Sequence, residues 1–388
     1  MLRVISQRSN LQTASYNIFR GVRLGFSSTS NREELITGLD DNNVTENIAS
    51  RVGRNLHLQP NHPLHTIKQK IETHFLTLHT SFETYSNLSP IVSTKNCFDD
   101  LLIPPSHVSR SPSDTYYISS TKCLRTHTSA HQSTLLKESK SKCFLCTGDV
   151  YRRDEIDRSH YPVFHQMEGV KLFEEGTHVS VIEDDLKKTL EGLTQELFGD
   201  VEMRWNTDYF PFTDPSWELE IYFNDEWLEV LGSGVIQPSI ITNAGLTQPG
   251  WAFGLGLERL AMVLFKIPDI RLFWSKDERF LGQFDGGIVE FKPFSKYPSS
   301  DRDMSFWTGS QNFHSNDFAE IVRNCITEDI IESVTLIDEF THPKTKEVSN
   351  CFRFTYRSME RSLTNEEIDR VHFKVRERAV EELGVVLR

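Results

Sequence analysis

Apolar and polar positions mark out alternating helix-like and strand-like segments from residue 62 onward. In segment 62–78, Leu64, Ile67, Ile71, Phe75 and Leu78 fall on one face at helical spacing. Pro63 suits the first helical position, where its missing N–H costs nothing. A polar, loop-rich stretch containing Ile103-Pro104-Pro105 follows. Residues 143–151 (CFLCTGDVY) and 161–173 (YPVFHQMEGVKLF) read as two strands around the charged turn RRDEIDRSH. A helical pattern begins at Asp185, continues through Leu186, Leu190, Leu193 and Leu197, and stops at Gly199. Residues 218–223 and 227–231 alternate like antiparallel strands. Residues 250–255 read as a strand feeding a helix over 257–265, which ends before Pro268.

The texture changes near residue 284. Segment 284–295 reads as a Gly/Pro/Lys-bearing linker. Beyond it the pattern predicts strand 304–307, helix 317–331, strand 333–340, strand 348–356, helix 365–383 and strand 385–388. Thr364 and Glu367 form a capping box for the last helix. The order β-α-β-β-α-β is that of a ferredoxin-like sandwich. The fold class is α+β, and two domains suit a chain of 388 residues.

Composition narrows the functional classes. Hydrophobic residues make up 38 % and charged residues 25 %, near the norm for a globular protein. No run of 18 apolar residues occurs, so no membrane partner is expected. The net charge of −13 argues against blanket DNA binding but leaves room for RNA held by local basic patches. Six scattered cysteines suit a reducing compartment rather than a disulfide scaffold. No Asp or Glu precedes Glu33, whereas Arg and Ser recur there. Residues 1–32 therefore read as an organellar transit peptide, followed by an N-terminal extension over 33–60.

Familiar short motifs are mostly absent. The pair Cys143–Cys146 has metal-like spacing, but it lies in a strand, where side chains three apart point to opposite faces. It reads as structural. Arg259 stands where a GxGxxG fingerprint needs its third glycine, and no GxxxxGK[ST], GxSxG or HExxH occurs. What remains is an Arg-bearing hairpin (Arg152, Arg153, Asp154, Glu155, Asp157, Arg158, His160) and an Arg behind a Gly-rich strand (Gly254-Leu255-Gly256, then Arg259). Taken singly, the first reads as a solvated turn and the second as a helix-surface arginine.

Together they resemble motifs 2 and 3 of the class II aminoacyl-tRNA synthetases. HTSAHQ (127–132), FHQMEG (164–169), YFPF (209–212) and GWAFGLGLER (250–259) narrow the resemblance to the phenylalanyl-tRNA synthetase family. It covers residues 61–388. The leader, the short chain and the C-terminal module are similar to the mitochondrial single-chain branch. The resemblance implies a class II antiparallel sheet flanked by helices over 61–283 and an anticodon-binding domain over 296–388.

The implied reaction joins phenylalanine to tRNA(Phe) through phenylalanyl-adenylate, with ATP as substrate and Mg²⁺ as cofactor. By this resemblance Arg152 grips the α-phosphate and the attacking carboxylate, which suits a planar fork of donors. Arg259 covers adenine and reaches the γ-phosphate, and these two arginines carry the catalysis. Phe164 stacks on adenine, Gly254 opens the strand to the nucleotide, and His160 reaches the phosphates. Asp214 and Glu229 are the expected carriers of Mg²⁺, which takes carboxylate oxygens. His127, Ser129, Gln132, Asp154, Gln166 and Glu168 hold the polar end of phenylalanine. Phe210 and Phe212 meet its ring, and Ala252 lines the far end of the pocket.

Residues 290–388 carry 14 Lys+Arg against 18 Asp+Glu, so RNA contact there must be local. Lys296, Arg302 and Arg357 are the expected tRNA contacts, with Lys292, Arg353 and Arg361 beside them. Phe306, Trp307, Phe352 and Phe354 could stack on bases or fill the core. The region around Pro90, where class II enzymes dimerise, is not strongly apolar, and the resemblance to the single-chain mitochondrial branch implies a monomer. The expected location is the mitochondrial matrix. Two rivals remain: a ligase of altered amino acid choice, and a tRNA-binding factor without chemistry. The second should lack the motif arginines, and both are present.

Overall fold

The computed structural model describes residues 35, 41–78, 81–285, 287–293, 297–309, 313–326 and 330–388. The transit-peptide segment 1–32 and Lys296 lie outside the described residues.

Helix α1 (Pro63–Leu78) buries Leu64, Ile67, Ile71 and Phe75 completely. Each such side chain stabilises the fold by about 1.5–3 kcal/mol. Leu78 is 51 % exposed, so the apolar stripe ends one turn earlier than its spacing suggests. Val44, Ile48, Ala49 and Leu56 pack into the same core as α1.

The central sheet begins with β1 (Glu83–Tyr85). A small separate sheet follows, with β2 (Ile91–Ser93), β3 (Tyr117–Ser119) and β4 (Lys122–Leu124). The central sheet continues with β5 (Cys143–Tyr151) and β6 (Val163–Leu172), which flank the charged turn. Helix α2 (Val179–Phe198) comes next. It starts six residues before Asp185, because Val179 and Val181 are exposed and give no amphipathic signal. Then come β7 (Met203–Phe210), β8 (Thr213–Phe223), β9 (Glu226–Ile236), β10 (Gly250–Gly256) and helix α3 (Leu257–Leu264). The strand order is β1-β5-β6-β10-β9-β8-β7. Only β1 against β5 is parallel.

Apolar cores cover both faces of this sheet. Cys143 and Leu145 of β5 enter one of them, while Phe144 and Cys146 enter the other. The two thiols of the CxxC therefore point apart. Among the described residues no group of three His, Cys, Asp or Glu is arranged to hold a metal, and no helix is long and apolar enough to cross a membrane.

The C-terminal module comprises β11 (Ser300–Trp307), α4 (Ser315–Cys325), β12 (Ile331–Thr341), β13 (Val348–Tyr356), α5 (Asn365–Leu383) and β14 (Val386–Leu387). Its antiparallel order is β12-β13-β11-β14. The capping box of Thr364 and Glu367 is present. The predicted helix over 317–331 ends at Cys325, since Ile326 turns extended and Ile331 already belongs to β12. Phe306, Phe352 and Phe354 are core residues here, while Trp307 is half-buried.

This module grips the β5–β6 turn. Arg153 pairs with Asp317 at 3.0 Å, and Arg158 Nε donates to Glu332 at 2.8 Å. The Val334 N–H donates to the Ile156 carbonyl, and Arg323 donates to the carbonyls of Asp154 and Glu155.

Candidate active site

Strand β10 crosses the middle of the sheet, between β6 and β9, and leads straight into α3. A Cβ built on Gly254 or Gly256 would meet nothing within 4 Å. Gly254 is exposed although its strand is central. The strand thus presents bare backbone to open space, a floor on which a flat ligand can lie.

That floor belongs to a cavity of about 550 Å³. Arg152 and Asp154 line it from the β5–β6 turn, and Gln166 and Glu168 from β6. His127 and Ser129 enter from the loop after β4. Phe210 and Phe212 lie at the β7–β8 turn with near-parallel rings 5.8 Å apart. Ala252 and Gly254 contribute from β10, and Glu229 from β9.

Arg152 Nε donates to the Thr126 carbonyl at 2.8 Å, and its guanidinium carbon stands 5.2 Å above the Phe164 ring. This ties the motif 2 turn to the loop that carries His127. Gln132 Nε2 donates to Glu168 at 2.6 Å deep in the cavity wall. Burial pushes the Glu168 carboxyl up to about 8, against hydrogen bonds from Gln132 and Ser129 that favour its charged form. His127 is lowered to about 3, by burial first and then by the Arg152 charge, so its ring is neutral. One wall therefore holds the Arg152 cation, and another holds a carboxyl whose charged form burial disfavours.

Arg259 reaches Glu229 from α3 at 3.0 Å and is 54 % exposed at the cavity edge. Glu218 of β8 also lines the cavity with Glu229 of β9, although the register sets Gly232 opposite Glu218 and Glu220 opposite Glu229. Burial, and then the Glu229 and Asp208 charges, push Glu218 up to about 7. Such a pair of crowded carboxylates offers hard oxygen donors for a divalent cation.

The matches with known proteins follow this geometry. A family model described as "tRNA synthetases class II core domain (F)" covers residues 46–284, and "Ferredoxin-fold anticodon binding domain" covers 295–388. The chain is 51 % identical to the chloroplastic/mitochondrial phenylalanine–tRNA ligase of Arabidopsis thaliana, over 96 % of this chain and 89 % of that protein. It is 49 % identical to the mitochondrial enzyme of Mus musculus, over 89 % of this chain and 86 % of that one. For the Saccharomyces cerevisiae mitochondrial enzyme the values are 38 %, 89 % and 92 %. The chain belongs to the phenylalanine–tRNA ligase family. It is a ligase with a class II core, and its relatives set it in the mitochondrial branch.

Of the expected residues, Gln132, His160, Phe164, Asp214 and Arg259 do not line this cavity. Asp214 is exposed at the start of β8 and does not line the cavity. A register shift between Thr213 and Ser216 falls at this point. Glu218, missed in the sequence, is the carboxylate that shares the cavity lining with Glu229. Its alternation in ELEIY marks it as sharing a strand face with Glu220, but only strand pairing reveals which residues it meets. His160 is also displaced. It bonds Asp157 at 2.6 Å and lies near Arg271 and Ile331 at the domain junction. Arg302 is held by Asp369 and Asn365, and Arg357 by Glu332, so both fasten the C-terminal module internally or to its neighbour.

Proposed function

We propose that the cavity activates phenylalanine as its adenylate and then passes the acyl group to the 3′ end of tRNA(Phe). The carrying observation is the convergence of Arg152, Glu168, the Phe210–Phe212 pair and the open Gly254 strand on one cavity. Phenylalanine enters with its ring against Phe210 and Phe212, towards Ala252. Its ammonium meets Glu168 with Gln132, Gln166 and Asp154, while His127 and Ser129 line the same polar end.

Arg152 then grips the amino acid carboxylate and the α-phosphate together. As the carboxylate attacks, negative charge gathers on the phosphate oxygens, and a fixed guanidinium already aimed there lowers the barrier. Adenine lies over Gly254 between Phe164 and Arg259. To cover the nucleotide, Arg259 exchanges Glu229 for the γ-phosphate. Glu229 and Glu218 would hold Mg²⁺, which supplies charge neutralisation for the polyphosphate and the leaving pyrophosphate.

The protein works as a monomer in the mitochondrial matrix on this reading. On the same reading tRNA contact in the C-terminal module falls on Arg302, Arg357 and Trp307, the last lying with Phe340 beneath the Arg388 guanidinium.

Phenylalanine-dependent ATP–pyrophosphate exchange tests the scheme. Arg152→Ala should abolish exchange while the fold persists. Full exchange in that variant would overturn the assignment.

A further inference from the structure

Two carboxylates near the cavity do not line it. Asp149 on β5 and Glu258 in the first turn of α3 are each 2 % exposed. A buried carboxylate is costly unless every oxygen is engaged. Here each is engaged, and each on a different piece of the site.

Glu258 accepts two hydrogen bonds from His165, one from its backbone N–H at 2.7 Å and one at ring Nδ1 at 2.7 Å. His165 stands between Phe164 and Gln166 on β6, and Glu258 directly precedes Arg259. One carboxylate therefore locks the start of α3 to the strand that carries Phe164. The spacing between Phe164 and Arg259, the two groups that sandwich adenine, is fixed through it.

Asp149 does the corresponding work on the other side. Its Oδ1 accepts from Arg125 Nη2 at 2.7 Å, and its carbonyl accepts from Arg125 Nε at 2.6 Å. Tyr151 donates to its Oδ2. Arg125 Nη1 also donates to the His131 ring at 2.8 Å. Arg125 thus spans both ends of the 125–131 loop, which presents His127 and Ser129. A Cβ at Gly148 would stand 2.0 Å from Arg125 Nη2, so the guanidinium fits only over a glycine.

We propose that Asp149 and Glu258 are positioning residues that hold the two halves of the site independently. Glu258 sets the nucleotide half through His165, Phe164 and Arg259. Asp149 sets the phenylalanine half through Arg125 and the His127–Ser129 loop. The proposal rests on the substrate assignments above and adds residues that touch neither substrate.

The test is pyrophosphate exchange by full-length Asp149→Asn and Glu258→Gln, with ATP and phenylalanine varied separately and thermal melting as the folding control. Small misplacements of a reacting group cost on the order of 10²-fold at most, so a shift of about tenfold in one KM is expected. Glu258→Gln should raise KM for ATP at least about fivefold more than KM for phenylalanine, and Asp149→Asn should do the reverse. A purely structural role would move both constants together. Equal shifts, or none in a folded variant, overturn the proposal. If either variant fails to fold, His165→Asn and Gly148→Ala disturb the same contacts from the opposite side. They must show the same ATP and phenylalanine bias respectively, and equal shifts there overturn it too. Failure of the underlying assignments reads differently, since Arg259→Ala and His127→Ala would then leave both constants unchanged.

Discussion

Glu168 and Gln132 meet 2.6 Å apart in the wall of the phenylalanine cavity, and the carboxyl of that pair is neutral near pH 7. An incoming ammonium must therefore displace a proton from Glu168. Phenylalanine affinity should rise by up to about tenfold per pH unit from pH 6 towards 8, as this carboxyl ionises. Calorimetric titration across that range checks it. Glu168→Gln should bind far more weakly and lose the pH slope.

The same group bears on stability. Its folded pKa of about 8 lies above the ordinary value of 4.5. The stability it contributes is full below pH 4.5 and is lost as pH rises towards 8. Glu168→Gln lacks this dependence. The melting temperature of the variant should gain on that of the parent protein between pH 5 and pH 8. Parallel melting curves would contradict the burial argument.

Arg259 lies at the cavity edge, tied to Glu229. Arg259→Ala should lose about 10²–10³-fold in exchange rate, the usual cost of removing a fixed charge-stabilising donor. Its melting temperature should barely change, because a half-exposed ion pair adds little to stability.

On the proposed reading Glu218 and Glu229 share the metal role. Glu218→Gln should raise the Mg²⁺ concentration needed for half-maximal exchange, whereas Asp214→Asn should leave it unchanged. Equal responses from both variants would return Asp214 to the site.

On the proposed reading the ring pocket ends at Ala252, which shares an apolar cluster with Val170 and Ile236, with Phe212 packed against it. Apolar walls reject an added hydroxyl by only about 10²-fold. Tyrosine should therefore support measurable exchange. Discrimination beyond about 10⁵-fold would mean that the pocket rejects the hydroxyl by some other contact.

Much of the architecture is legible in the chain because its local signals are strong. A capping box and an αL Gly384 bound α5 at the residues expected, and β5 and β13 run over the predicted spans. Segments without an alternating signal escape. Strand β7 has a half-exposed, mixed pattern, and the first turns of α2 carry exposed valines. Many cavity-lining residues lie within contiguous motifs, so a linear reading reaches them, whereas His107, Ser109, Thr115 and Asn316 belong to none. Glu218 and Asp149 fall outside those motifs, and Glu258, although inside GWAFGLGLER, takes its meaning like them from partners supplied by pairing. Asp149 meets Arg125 across 24 residues, and Glu258 meets His165 across 93. Asp214 has the chemistry of a metal carrier but does not line the cavity, and local spacing says nothing of the register shift beside it.

The clasp between the ferredoxin-like module and the motif 2 turn makes this ligase a poor candidate for minimisation. Cutting the chain at the linker would strip Arg153, Arg158 and Ile156 of their partners in the C-terminal module at once, beside the Arg152 that on the proposed reading grips the phosphate. A reader of RNA thus doubles as scaffolding for the amino acid chemistry. An excised catalytic half should activate phenylalanine poorly even though it keeps every cavity-lining residue but Asn316.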